Sequence, residues 1–239
     1  MVLGTKLTRF YFNYAYNPVY DFTTGRHNRY RKLQEDCIGK LELRDKDRVL
    51  CVGLGTGNEI LRILGINANV SIMGVDYSHT VLQKAYKKAL SLGKEIEVRV
   101  MDAQRLELPT ASFDKVLCVH VMDFIEDNTQ AAIEILRVLK DRGQYVITYP
   151  SSREGMRLGL NLFKDNIYNL NPGKPRIRAL LENLARMLVG MVYIPLLFRP
   201  KRKSYSYREL EGMFSQLATG DFQIEEDAIY QDFIVHGTK

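Results

Sequence analysis

The chain has 239 residues, 46% hydrophobic and 26% charged, with a formal net charge of +6. That balance suits one globular domain with an elaboration and a sizeable core, and excludes a disordered or fibrous chain. No uncharged apolar run reaches the roughly 18 residues of a membrane span, and "MVLGTKLTRFYFNYAYNPVYD" lacks the apolar stretch of a signal peptide, so a cytoplasmic protein is expected. Val2 rather than Gly follows the first Met, against myristoylation. Cys37, Cys51 and Cys118 form no C-x-x-C pair and read as buried free thiols.

In chain order, residues 1–45 are rich in Tyr and Arg and precede the first core strand. From about residue 47, β-branched runs alternate with helical patterns. The strands are "RVLCVG", "VSIMGVD", "EIEVRVMD", "DKVLCVHV" and "QYVITYP", with helices near 57–65, 79–92 and 127–140 between them. Strands separated by single helices imply βαβ units and a parallel sheet covered on both faces. Residues 151–206 follow, too long for a plain loop. The segment 207–239 reads as a closing helix and two strands, "DFQIEED" and "IYQDFIVHG", which close the sheet as an antiparallel pair. The whole is expected to be one domain: a lid region over 1–45, a core over 46–150, an insertion over 151–206 and the closing elements.

"VLCVGLGTGN" (49–58) ends a strand with glycines spaced G-x-G-x-G and runs into a helix. Gly53, Gly55 and Gly57 let the backbone turn tightly and approach a ligand. Asp76 ends the second strand 19 residues beyond Gly57, a spacing suited to a carboxylate that takes ribose hydroxyls. Asp102, at the end of the third strand, can accept from an exocyclic amine. The turn departs from G-x-G-x-x-G, because the third glycine comes one residue early. Three strand ends thus offer an adenosine-shaped site without a dedicated phosphate clamp.

"VLCVGLGTG", "GVDYS", "VMDAQRLELPTASFDKV" and "LRVLKDRGQYVITYP" resemble class I S-adenosylmethionine (SAM)-dependent methyltransferases, especially the ubiquinone/menaquinone-biosynthesis group. The resemblance covers about residues 16–150 and implies a Rossmann-like, mostly parallel α/β sheet with an antiparallel closing strand and helices on both faces. It implies SAM as cofactor, leaving as S-adenosylhomocysteine, and no metal. Gly53, Gly55, Thr56 and Gly57 would line its methionine end, Asp76 would take the ribose, and Tyr77 would lie beside the adenine. Asp102 and Ala103 would contact the adenine, Val119 and His120 would border the transferred methyl, and Tyr20 in "NPVYD" would belong to a lid. Such relatives usually carry Asp or Glu where this chain has Cys51, a carboxylate that helps hold the cofactor's amino group.

Methyl transfer is an in-line displacement served by alignment and exclusion of water, with a base needed only where the acceptor must lose a proton. His120 is the first candidate, since an imidazole near pH ~6.5 suits general-base work, against the plainer reading of a pocket-wall histidine. Asp123 is the second, or a residue that orients the next segment. Tyr149 is a candidate donor to the acceptor, or a packed tyrosine. No His/Cys/Asp spacing suggests a metal site.

The basic excess is local. Residues 151–203 hold 11 Lys/Arg against 3 Asp/Glu. Within 176–198, Ile177, Leu180, Leu181, Leu184, Leu188 and Met191 recur at helical spacing, and "RPKRK" follows an uncharged stretch from Met187 to Phe198. A core-packed helix with a solvated charge cluster is one reading. The other is an interfacial segment whose cations Arg199, Lys201, Arg202 and Lys203 meet an anionic membrane surface. Nucleic acid is the weaker partner, because the cations do not alternate with stacking aromatics.

These features lead us to expect a SAM-dependent methyltransferase acting on a hydrophobic small molecule at or near a membrane surface. The acceptor would be a quinone precursor, a prenylated or lipid-like aromatic, a phospholipid headgroup or a tetrapyrrole. A nicotinamide oxidoreductase, a non-catalytic binding protein on the same scaffold and a nucleic-acid methyltransferase are the alternatives.

Overall fold

The computed structural model describes residues 28–151, 204–217, 220–227 and 232–239, together with Tyr14, Ile177, Leu181 and Leu184. Tyr20 and most of the lid region before residue 28, together with most of the 151–206 insertion, lie outside the described residues. Asn28–Ser152 and Lys203–Lys239 form one compact unit, to which every element below belongs.

Short apolar runs form the strands β1 (Arg48–Val52), β2 (Ser71–Asp76), β3 (Glu97–Val100), β4 (Phe113–Cys118), β5 (Leu139–Tyr149), β6 (Phe222–Glu226) and β7 (Phe233–Thr238). They make one sheet in the order β3-β2-β1-β4-β5-β7-β6. β1 pairs in parallel with β2 and β4, and β2–β3 and β4–β5 are also parallel. β7 runs antiparallel to both β5 and β6. The late pair therefore closes the sheet, with β7 inserted between β5 and the edge strand.

The helices are α1 (Asn28–Gly39), α2 (Asn58–Ile66), α3 (His79–Ser91), α4 (Asn128–Val138) and α5 (Tyr207–Leu217). α3 packs on β2 and β3, α4 on β5, and α5 on α4 and β6, while α1 lies against α2. Alternation along β1 sends Leu50 and Val52 into a cluster with Val116, Tyr145, Ile147, Ile135 and Phe214, and turns Val49 and Cys51 to the other face. All three cysteines are free and buried.

α4 stops two residues earlier than the apolar pattern suggests. The N–H groups of Ala111 and Ser112 take the carbonyls of Arg137 and Val138 (3.0 and 2.8 Å), and Leu139 turns to extended backbone. β5 consequently begins at Leu139, and its pairing with β4 shifts register between Phe113 and Lys115.

The segment after β3 is pinned by one ion pair. Glu134 accepts from the Leu106 N–H (2.8 Å) and from Arg137 Nε (2.7 Å), while Arg137 donates to the carbonyls of Leu106 (2.7 Å) and Leu108 (2.8 Å). Arg137 and the Leu106 N–H hold the Glu134 carboxyl below its ordinary range against the opposing effect of burial. A depressed carboxyl contributes stability that is present above the unfolded value near ~4.3 and lost as pH falls through the folded value. Glu134→Gln should cost about 2–3 kcal/mol at pH 7, the scale of hydrogen bonds to a charged group. Urea unfolding should show the gap to wild type closing below about pH 4.

Candidate active site

β1, β2, β3, β4 and β5 run in parallel and end at one edge, and the sheet order reverses between β1 and β4, where ligands bind in open α/β sheets. The glycine turn lies over the end of β2. Gly53 and Leu54 donate to the Val75 carbonyl (2.8 and 3.0 Å), and Gly57 closes the turn onto the Leu54 carbonyl (3.1 Å). Gly74 has no side chain because Leu54 fills its place: a Cβ there would stand 2.1 Å from Leu54 Cδ2.

Two glycines of the turn have different jobs. Gly53 (φ 69°) is pressed against the segment after β4, where an added Cβ would lie 2.2 Å from Val121 Cγ2. Among the described residues, a Cβ added at Gly55 (φ 57°) would meet nothing nearer than the Gly53 carbonyl at 3.9 Å. The absent side chain at Gly55 suits a close approach of ligand to backbone.

Asp76 meets the turn at Gly55. Its Oδ2 accepts from the Gly55 N–H (2.9 Å) and its Oδ1 from the Ser78 N–H (2.9 Å). Burial raises its carboxyl above the ordinary range, opposed by the N–H groups of Ser78, Gly55 and Tyr77. The Gly55 N–H, which a diphosphate would need, already meets a carboxylate, and a second anion there would be repelled. Two ribose hydroxyls can still use the remaining lone pairs of Asp76. Tyr77 stands 40% exposed beside it. Asp102, exposed beyond β3, accepts from the backbone (2.9 Å) and side-chain amides (3.1 and 3.2 Å) of Gln104, whose Oε1 accepts from the Asp127 N–H (2.8 Å). Ala103 is half-buried next to it. These residues fit an uncharged nucleoside with a polar tail: an open glycine cradle, a ribose acceptor and an exposed carboxylate at successive strand ends.

Residues 50–147 match a family model described as "Methyltransferase domain". This part of the chain matches a methyltransferase domain and is similar to the class I SAM-dependent methyltransferases. SAM is the cofactor of these methyltransferases, and its sulfonium supplies an electrophilic methyl group. A phosphatidylethanolamine N-methyltransferase of Cereibacter sphaeroides is 33% identical over 109 residues, 45% of this chain and 52% of that protein. A demethylmenaquinone methyltransferase of Deinococcus radiodurans is 34% identical over 110 residues, 46% of either chain. The chain therefore spans about half the length of these methyltransferases. The solved phosphoethanolamine N-methyltransferase 2 of Haemonchus contortus, in complex with SAM, shares the methyltransferase fold with a TM-score of 0.63 at 16% identity. That likeness covers 91% of this chain and 45% of the other.

The remaining predicted residues divide between edge and core. Val119 is buried at the end of β4, and Thr56 is buried within the turn. His120 takes a left-handed backbone (φ 55°), donates its N–H to Thr148 Oγ1 (2.8 Å) and sets its Nε2 2.7 Å from Asp232 Oδ2. Asp123 is half-buried in the short 3₁₀ helix Met122–Phe124. Tyr149 is 0% exposed, packed edge-on against Tyr205 (5.2 Å) and Phe214 (5.9 Å). Its place is in the core rather than on an open pocket wall, because the end of β5 is covered by α5 and Tyr205. No group of three or more His, Cys, Asp or Glu among the described residues could hold a metal.

Two acids escape sequence reasoning. Asp232, in the approach to β7, is one. Glu59, in the first turn of α2, is the other: it is buried, takes a hydrogen bond from Gln34 Nε2 of α1, and its carboxyl is raised by burial. Burial and the Glu59 carboxylate both push the Cys51 thiol up, so Cys51 is a neutral group beside a buried acid. Cys51→Asp would put a second carboxylate there, and two such neighbours resist ionising together. Its raised carboxyl gives a stability present at low pH and lost as pH rises. The variant should melt a few degrees lower than wild type at pH 7, recover toward pH 5, and gain more from added SAM than wild type does. Thermal melts with and without SAM read all three.

Proposed function

We propose that the chain transfers the methyl group of SAM to a hydrophobic small molecule reached at or near an anionic membrane surface. The observation that carries the first half is the open face of Gly55 with Asp76 and Asp102 at adjacent strand ends. The acceptor class is supported by two relatives whose names specify phosphatidylethanolamine and demethylmenaquinone. A quinone precursor, another prenylated or lipid-like aromatic, a phospholipid headgroup and a tetrapyrrole share that chemistry: a nucleophilic oxygen, nitrogen or carbon carried on a largely apolar body.

The surface half is supported by the insertion. Ile177, Leu181 and Leu184 are helical, spaced for one face, and 76, 60 and 55% exposed. The cations of "RPKRK" follow in the sequence, each worth about 1 kcal/mol near an anionic surface. No helix among the described residues is long and apolar enough to cross a membrane.

Incubation with methyl-labelled SAM and a host lipid extract, followed by mass spectrometry, should yield a labelled lipid-soluble product. Label in nucleic acid, or none at all, would favour the alternatives. Co-sedimentation with anionic liposomes should fall at least tenfold when Arg199, Lys201, Arg202 and Lys203 become Gln, since four cations are removed. Equal binding by the variant would refute the surface.

A further inference from the structure

His120 is held from two sides. Its backbone N–H is tied to Thr148 on β5, and its ring is faced by Asp232, whose side chain is only 6% exposed. The residue after it, Val121, presses on Gly53, so the His120 backbone lies where β4 meets the glycine turn. Left-handed backbone at a histidine is uncommon and costs roughly 1–2 kcal/mol, a cost the flanking contacts must hold. Asp232 is itself fixed, because its carbonyl accepts from the Asp227 N–H (2.7 Å) just before β7 begins.

We propose that Asp232 is a positioning residue for His120: its carboxylate fixes the ring and its tautomer so that the imidazole can take the proton an acceptor loses. This rests on the methyl-transfer reading above. The 2.7 Å approach of Nε2 to Asp232 favours the tautomer that carries its proton on Nε2, which leaves Nδ1 as the basic nitrogen. An acceptor forms its bond to the methyl carbon as the C–S bond breaks, the bonding pair stays on sulfur, and the acceptor's proton passes to the imidazole. The resulting imidazolium lies against a carboxylate. Among the described residues, the titratable groups around the pair include Asp123 in the 3₁₀ helix and Asp227 before β7, and Asp232 also acts on the Cys37 thiol of α1, which burial, Asp227, Asp36 and Asp232 push up and Lys40 opposes.

NMR titration of the imidazoles in the full chain with S-adenosylhomocysteine, assigned with His120→Gln, tests the pair. In Asp232→Asn the His120 midpoint should fall by about one pH unit, because a nearby negative charge is lost. Asp232→Glu should restore most of it, which separates charge from misfolding. An unchanged midpoint in folded Asp232→Asn overturns the proposal. Methylation of the extract product should slow about 100-fold in Asp232→Asn, the scale of general-base catalysis. Its acid limb should move to lower pH while S-adenosylhomocysteine affinity stays within about twofold. A fixed acid limb overturns the proton role. If wild type itself labels nothing, the methyl-transfer reading fails, and the proton role falls with it, while the midpoints still decide the pairing.

Discussion

Gly53→Ala is expected to destabilise the domain severely, whereas Gly55→Ala, two residues along the same turn, should fold and lose SAM. Both glycines have positive φ (69° and 57°), so both variants carry about 1–2 kcal/mol of backbone strain. Only at Gly53 does the new methyl collide: Val121 Cγ2 would be 2.2 Å away, and Val121 cannot retreat without moving the end of β4. Overpacking adds about 1–3 kcal/mol, so the total approaches half the stability of an ordinary domain. At Gly55 no described residue comes closer than 3.9 Å, and the methyl enters the space a ligand would use. Urea midpoints should therefore separate the variants in one order and calorimetric titration with SAM should separate them in the other. Normal SAM binding by Gly55→Ala would place the cofactor away from this turn.

That contrast also marks where sequence reasoning is strong. The turn, Asp76 and Asp102 were legible because each depends on a few adjacent residues: glycines after a β-branched run, and an acid where a run stops. The strands were legible for the same reason. The end of α4 was not, because Leu139 and Lys140 continue a helical pattern and the deciding partners are the N–H groups of Ala111 and Ser112. Tyr149 kept two readings in the sequence because strand ends in such sheets usually face ligands, and only the arrival of Tyr205 and Phe214 from a distant segment encloses it. Glu59 has the local pattern of any acid in a first helical turn, and its buried bond with Gln34 comes from α1, 25 residues away. Asp232 carried no local signal, since its importance comes from β7 pairing against β5 and bringing the approach to that strand beside His120. Long-range pairing is what local patterns cannot express.

Asp76→Ala should weaken SAM binding about 100-fold or more, and Asp76→Asn should reveal why. Hydrogen bonds to a charged acceptor contribute about 1.5–3 kcal/mol each, and the ribose would lose two of them in the alanine variant. The carboxylate also receives the N–H groups of Gly55 and Ser78 on separate oxygens, a pattern an amide cannot reproduce, because its NH2 would face a backbone donor. Asn should thus cost affinity and loosen the turn together. The pH dependence has an unusual sign. Because burial raises the Asp76 carboxyl, its contribution to the stability of the ligand-free protein is complete below the unfolded value near ~3.9 and fades as pH rises through the folded value. Ribose binding needs the carboxylate, so SAM affinity should climb across the same interval. Opposite slopes for ligand-free melting temperature and for SAM affinity, both flattened in Asp76→Asn, are the signature expected of one carboxyl that is costly to bury and necessary to bind. Parallel slopes, or slopes that survive the substitution, would assign the titration to another group.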